Sequence, residues 1–357
     1  MLPRLLLTAA TVAALGVAPP QNARATPGSP AAYRLTRTVA LGAPDRWDYL
    51  VYDPPSHRVY VAHGDRLTVI AGRSGRIIGD VGPIPGGPHG IAICHAAGVG
   101  VTDDGRYGQA VIFSLKTLKV LKRLKIQRGA DAVAFDPSSG HVFVIDGRTG
   151  SVAVIDPARE RLVTIIHIGG DLEYAVSGDN GQLYVNGVTH HEILRIDTAT
   201  NRLDARWPMP ECRAPHGLAI DTGTHRLFAS CENQRLVVVD AHSGATVAAV
   251  PIGRGTDADR FDPGRRLILS SNGRDGTLSV IREVNANTFL PVATIKTALS
   301  GRTMALDPAS GRVYVAAART TRRALRAFYA AWRAGRRPRR PPFAPRSLRV
   351  LFFDPVR

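Results

Sequence analysis

Two segments place a histidine in nearly the same company: Pro88-His89-Gly90-Ile91-Ala92 and Pro215-His216-Gly217-Leu218-Ala219. Imidazole changes charge near neutral pH, so each histidine is a candidate general base. With carboxylates nearby, the pair could hold a borderline divalent metal such as zinc. It could equally grip an acidic or polar small molecule, with an arginine as the anion contact. No serine elbow, paired-carboxylate spacing or other reaction signature accompanies them. A hydrolase or lyase using His89 or His216 therefore stands as the alternative to simple binding. The plainest reading is structural: Pro-His-Gly is a tight turn into a strand, with its polar side chain solvated. Choosing among these requires the elements that carry the two residues.

Those elements repeat. Tyr52-Asp53-Pro54-Pro55-Ser56-His57-Arg58-Val59-Tyr60-Val61 is matched by Phe135-Asp136-Pro137-Ser138-Ser139-Gly140-His141-Val142-Phe143-Val144 and by Leu306-Asp307-Pro308-Ala309-Ser310-Gly311-Arg312-Val313-Tyr314-Val315, with weaker copies at Asp221 and Asp262. Each is an apolar strand, an aspartate-led turn and a second strand rich in β-branched and aromatic residues. Between Asp53, Asp136 and Asp221 the gaps are twice those that follow, which places hidden copies near positions 94 and 178. Seven copies at a period of about 42 residues are the spacing of four-stranded propeller blades. The last copy lacks an outer strand, and Tyr33 to Leu41 is a spare one. Its pairing with Leu348 to Phe353 would close the ring and protect its edges.

Composition agrees. Gly 35 and Pro 25, well spread among 357 residues, favour many turns over long helices, and 44% hydrophobic with 21% charged residues excludes wholesale disorder, collagen and coiled coil. Tyr60-Val61-Ala62-His63-Gly64, Pro88-His89-Gly90-Ile91-Ala92, Phe261-Asp262-Pro263-Gly264, Ser271-Asn272-Gly273-Arg274-Asp275-Gly276-Thr277-Leu278 and Arg302-Thr303-Met304-Ala305-Leu306-Asp307 make the chain similar to the YVTN-repeat, YncE-like family of bacterial β-propellers. The resemblance implies an exported seven-bladed propeller over residues 33–357 and implies no particular reaction. Blade four, which lacks an anchor aspartate, and a basic insertion in blade seven depart from the family pattern.

In a blade, the connection into the innermost strand lies at one mouth of the central channel. Five residues before each anchor stand Asp48, His89, Asp131, Leu172, His216, Asp257 and Arg302, with Asp171 and Glu173 flanking Leu172. Repeat symmetry turns these into a ring of ionisable groups that can converge on one ligand. His89 and His216, three blades apart, should face each other across it. His63, Asn186, Glu232, Asn233 and Asn272 fall at second-strand ends on the same face.

The first 25 residues carry Arg4, an apolar run from Leu5 to Val17 and a closing Ala23-Arg24-Ala25, the order of a cleavable signal peptide. Export to the periplasm or beyond is expected, with cleavage after Ala25 and a linker over 26–32. In that setting Cys94, Cys212 and Cys231 allow one internal bridge. Cys212 and Cys231 fall on the mouth face of blade five, so they are the expected pair, bracing the loop with His216. Cys94 is expected to be buried.

The net charge of +17 is concentrated. Residues 319–346 hold ten arginines and no acid, and removing these and the two in the leader leaves +5. Leu325, Phe328, Tyr329 and Trp332 follow helical spacing, so Thr321 to Ala334 should form an amphipathic helix ended by Gly335. This flap, with Arg322, Arg323, Arg326, Trp332, Arg333, Arg336 and Arg337, admits three roles: a lid on the propeller, contact with an anionic membrane surface, or nucleic-acid binding. The expectation is a monomeric all-β propeller that binds a small ligand or partner at its channel mouth, with no transmembrane segment and a divalent metal as the possible cofactor.

Overall fold

The computed structural model describes residues 33–336 and 342–356, with the side chains of Trp332 and Arg333 set aside. The leader expected over residues 1–25, the linker expected over 26–32 and Arg337 lie outside the described residues. Seven antiparallel four-stranded sheets account for nearly all of the rest. Their innermost strands are Trp47–Asp53, Ile91–Cys94, Ala130–Asp136, Leu172–Ser177, Pro215–Asp221, Thr256–Asp262 and Thr303–Asp307. Each packs beside the next and the seventh returns to the first, so the chain is a closed seven-bladed β-propeller.

The repeated turn explains why the blades form where they do. The carboxylate of Asp136 accepts from the Ser139 amide (2.8 Å) and hydroxyl (2.7 Å), and Asp221 and Asp307 hold Thr224 and Ser310 in the same way. The chain then needs one left-handed residue to enter the second strand, supplied by Gly140 (φ +71°) in blade three and by His225 (φ +55°) in blade five. Blade two replaces this turn with a 3-10 turn, His95–Ala97. His95 Nε2 reaches back to Asp53 of blade one at 2.6 Å, and Ser177 of blade four donates to Asp136 at 2.6 Å, so the turns also tie neighbouring blades together.

No blade has a core of its own. Each buried cluster is shared between adjacent sheets, as where Val142, Val144 and Ile155 of blade three meet Val101 and Ile112 of blade two. Burying the alternate faces of the strands in this way makes the ring the smallest stable unit. Blade seven is completed by the first described strand. Tyr33–Gly42 pairs with Leu348–Pro355, with Tyr33 opposite Pro355 and Gly42 opposite Leu348, and Tyr33 is buried at the seam.

The insertion contains helix α1, Arg322–Arg333. Its first turn is capped by the Thr321 hydroxyl, which accepts from the Ala324 amide (3.1 Å), and Gly335 (φ +69°) ends it. The sequence expectation ran one residue further at each end, which is the capping shell of the observed helix. Where the insertion rejoins blade seven, Phe343 packs on Trp47 at 4.9 Å.

Candidate functional site at the channel mouth

Six ionisable side chains of the ring, together with Glu173, stand around the mouth of the channel. Asp48, Asp131, Glu173, His216 and Asp257 each occupy the second residue of an innermost strand, while His89 and Arg302 stand just before theirs. Glu173, not Leu172, takes the blade-four position: Leu172 pairs with Gly187 as Trp47 pairs with His63, and its side chain is buried. A one-residue bulge follows this point in blades one, three, four, five and six, for example between Trp47 and Leu50. Such a bulge re-aims a side chain and breaks the strand's alternation, which is how the acids reach the mouth while Leu50, Ala175 and Leu218 turn into the core.

The two Pro-His-Gly segments are structural in their glycine. A Cβ on Gly90 would stand 2.2 Å from the Val133 amide nitrogen, and one on Gly217 would stand 2.7 Å from that of Asp259. Each histidine loop therefore lies directly on the innermost strand of the next blade. The imidazoles remain at the mouth, about one-fifth exposed.

The ring resolves into two groups. In one, donor atoms of Asp48, His89 and Asp131 all lie within 4.8 Å of one another, and in the other Glu173, His216 and Asp257 do the same. Each histidine thus has its own pair of acids from the neighbouring blades. His89 Nδ1 is bonded to Asp103 at 2.8 Å, while the other oxygen of Asp103 accepts from the amides of His89 (2.9 Å) and Gly90 (2.8 Å). With Nδ1 taken by Asp103, Nε2 is the ring nitrogen left for a ligand shared with Asp48 and Asp131, the arrangement that carboxylate-anchored metal ligands adopt. Asp131 itself has no hydrogen bond or ion pair among the described residues.

His216 is held differently. Its ring stands 3.8 Å from Glu173, Asp257 and Glu232, and Asn186 holds the loop by donating to the carbonyls of His216 (2.9 Å) and Gly217 (3.0 Å). Arg302 pairs closely with Asp257 and reaches Asp48 at 3.5 Å, bridging the two groups. The guanidinium is shared between the groups and lies closer to the second.

Charge crowding shows in the protonation of the ring. Burial opposes the imidazolium of His89, but Asp103 and then Asp48 and Asp131 overcome it and lift the pKa to about 10. Burial likewise opposes the imidazolium of His216, and Glu173 and Asp257 lift it to about 9. Asp131 is pushed well above the usual carboxylate range by burial and by Glu173 and Asp48. Asp257 rises to about 6, chiefly by burial, although Arg302 pulls it down.

Below the ring the channel is crossed. Tyr49 of blade one reaches over to blade four, donating to Glu173 at 3.1 Å and packing on Tyr174 at 4.8 Å, with the Arg260 guanidinium 5.2 Å over the Tyr174 ring. The mouth is thus a cup with a floor. Sequence reasoning did not single out Tyr49 or Asp103. Asp103 had a signal, since it lies near the end of a second strand, the place that holds His63, Asn186 and Asn272 in other blades.

Among those others, His63 spends both ring nitrogens on Thr68 and the Pro44 carbonyl, and Asn272 bonds Thr277 and Ser279. Asn233 accepts from the Arg213 amide and donates to the Glu211 carbonyl. A disulfide ties Cys212, in the loop before Pro215–Asp221, to Cys231 at the end of strand Arg226–Cys231, and Cys94 is buried with its thiol pushed up to about 12 by burial.

At the rim, α1 lies against blade six. Arg274 stacks on Tyr329 with its guanidinium carbon 4.3 Å from the ring centre and pairs with Glu232 at 3.0 Å, and Arg322 approaches Asp275 at 4.0 Å. Arg323 and Arg336 are exposed.

No family model and no curated protein matches the chain. Among solved structures it is similar to a chain of hydrazine synthase from Kuenenia stuttgartiensis, at 13% identity over 76% of this chain and 93% of that one, TM-score 0.68. It is also similar to a chain of a mitotic checkpoint complex, at 15% identity over 87% of this chain and 95% of that one, TM-score 0.67. At these identities the likeness shows the propeller fold alone. No helix among the described residues is long and apolar enough to cross a membrane.

Proposed function

We propose that the protein is a metal-dependent binding propeller, in which Asp48, His89 and Asp131 hold a divalent cation at the channel mouth and present it to a small polar or acidic ligand. One observation carries this reading: three donor groups from adjacent blades lie within 4.8 Å, with the imidazole anchored from behind by Asp103. A cation there would offset the burial and the neighbouring Glu173 and Asp48 charges that raise the Asp131 pKa. One nitrogen and two carboxylate oxygens suit zinc or manganese better than a soft metal. Arg302 and His216 on the far side of the cup supply positive charge for an acidic ligand.

The test is metal content. Full-length protein stripped with chelator and then given zinc or manganese should retain one equivalent, and His89→Ala should weaken retention at least about 100-fold. Because His89 holds its proton up to about pH 10, binding must expel it, so affinity should rise by about tenfold per pH unit for that proton between pH 6 and 9. Protein that takes up no stoichiometric metal, or a His89→Ala/Asp131→Asn variant that keeps it, would overturn the reading.

Membership of the YVTN-repeat family and export belong to the same proposal. The leader order and the Cys212–Cys231 disulfide both suit an oxidising compartment. Sequencing the amino terminus of protein recovered from an exporting host should begin at Thr26, whereas protein retaining Met1 in the cytoplasm would count against export.

A further inference from the structure

We propose that the cleft between α1 and blade six is a receptor for a phosphoryl group, supplied as free phosphate or as the monoester of a small molecule. Arg254, Arg274, Arg322, Leu325, Arg326 and Tyr329 line a cavity of about 170 Å³. A water needs roughly 10–15 Å³ of such space, so the cavity accommodates a group of several heavy atoms. Four guanidinium groups face two carboxylates: Arg254 binds Asp275 through two nitrogens (2.9 and 2.6 Å), Arg322 shares that acid at 4.0 Å, and Arg274 pairs with Glu232 at 3.0 Å. Arg326 has no ion pair among the described residues, and the first turn of α1 contains no acid.

The surplus of positive charge is held in place by packing. Leu325 is 5% exposed and anchors the helix, and the Tyr329 ring fixes the plane of the Arg274 guanidinium. Bringing like charges together costs free energy that an anion recovers, and arginine forks match pairs of phosphate oxygens. A terminal phosphoryl dianion would balance the surplus. The concave, partly apolar lining fits a single terminal group better than the continuous backbone of a nucleic acid. This receptor lies beyond Glu232, on the far side of that acid from His216, and does not depend on the metal reading.

Titration calorimetry on full-length protein in chelator, with inorganic phosphate, phenyl phosphate and sulfate as probes, tests the proposal. Phosphate and phenyl phosphate should bind, sulfate should bind less tightly, and Arg322→Gln/Arg326→Gln should weaken both phosphates at least tenfold. That variant should keep the melting temperature of the anion-free protein and the metal binding of His89, while Arg323→Gln, off the cavity, should bind phosphate normally. Phenyl phosphate clearly tighter than phosphate identifies a monoester as the source, and equal affinities identify the free anion. No binding of either phosphate, undiminished binding by the double variant, or a DNA oligonucleotide bound more tightly than phenyl phosphate and lost in that variant would overturn it.

Discussion

Asp259 turns both carboxylate oxygens into the protein without a hydrogen-bond partner, fully buried beside the loop that carries His216. Burial raises its pKa to about 7, although the nearby Ser270 and Ser230 hydroxyls and the Arg260 charge lower it in part. Its folded pKa therefore lies above the ordinary carboxylate value, so the folded chain binds the extra proton and loses stability as pH rises from about 4 through 7. Asp259→Asn removes that penalty. The variant should be more stable than the parent at pH 8 by on the order of 2–4 kcal/mol, and the gap should close toward pH 4. Parallel denaturant titrations at the two pH values would read this, and an equal difference at both would show that the carboxyl's charge is not the cause. Asp131 and Asp257 push in the same direction, so the whole mouth is least comfortable in the state where all its acids are ionised. None of this is visible along the chain, where Asp259 is one more acid in a strand. Its cost arises from the neighbouring blade, whose Gly217 backbone closes over it.

At the scale of the strand and the turn, much more was legible. The anchor turn reads directly from Asp-Pro and the small residues after it, because the aspartate bonds locally and the left-handed position selects glycine or a tolerant polar residue. Counting back from that anchor reached the ring because the innermost strand has a nearly constant length. The count slipped at blade four, where Ser177 stands for the aspartate and the ring residue is Glu173. The bulge that aims these residues left no mark in the sequence, since it is an extra residue in pairing and not in composition. The amphipathic helix was legible from Leu325, Phe328 and Tyr329, but its partners Arg254 and Arg274 were not, being loop residues of a blade whose contact with the insertion depends on the closed ring. The insertion's return is fixed by Asp45, whose carboxylate accepts from the amides of Arg346 (2.6 Å), Ser347 (2.6 Å) and Leu348 (2.8 Å). The segment just before blade one thus sets where the flap re-enters blade seven.

The molecule as a whole depends on a seam. Two strands far apart in sequence close the ring, and the third strand of blade seven has its outer edge covered by Tyr33–Gly42 alone. Removing residues 33–42 should expose that edge to pairing with other chains. The truncated protein is expected to lose roughly 10 °C or more in Tm and to elute as oligomers, and an unshifted monomeric species with parent stability would refute this account of closure. Because every core cluster is shared between blades, loosening the seam should be felt at the cup, where Arg302 of blade seven donates to the Trp47 carbonyl of blade one at 3.2 Å.

The register at the seam also fixes an orientation. Innermost strands run from the cup toward the anchor turns, and in blade seven Leu348–Pro355 runs the same way while Tyr33–Gly42 runs back. Tyr33 and Pro355 are paired, so both leave the propeller on the face opposite His89 and His216. A tether attached at either position, whether a natural extension or a capture tag on a sensor surface, therefore holds the molecule by its base and leaves the cup and the arginine cleft pointing outward.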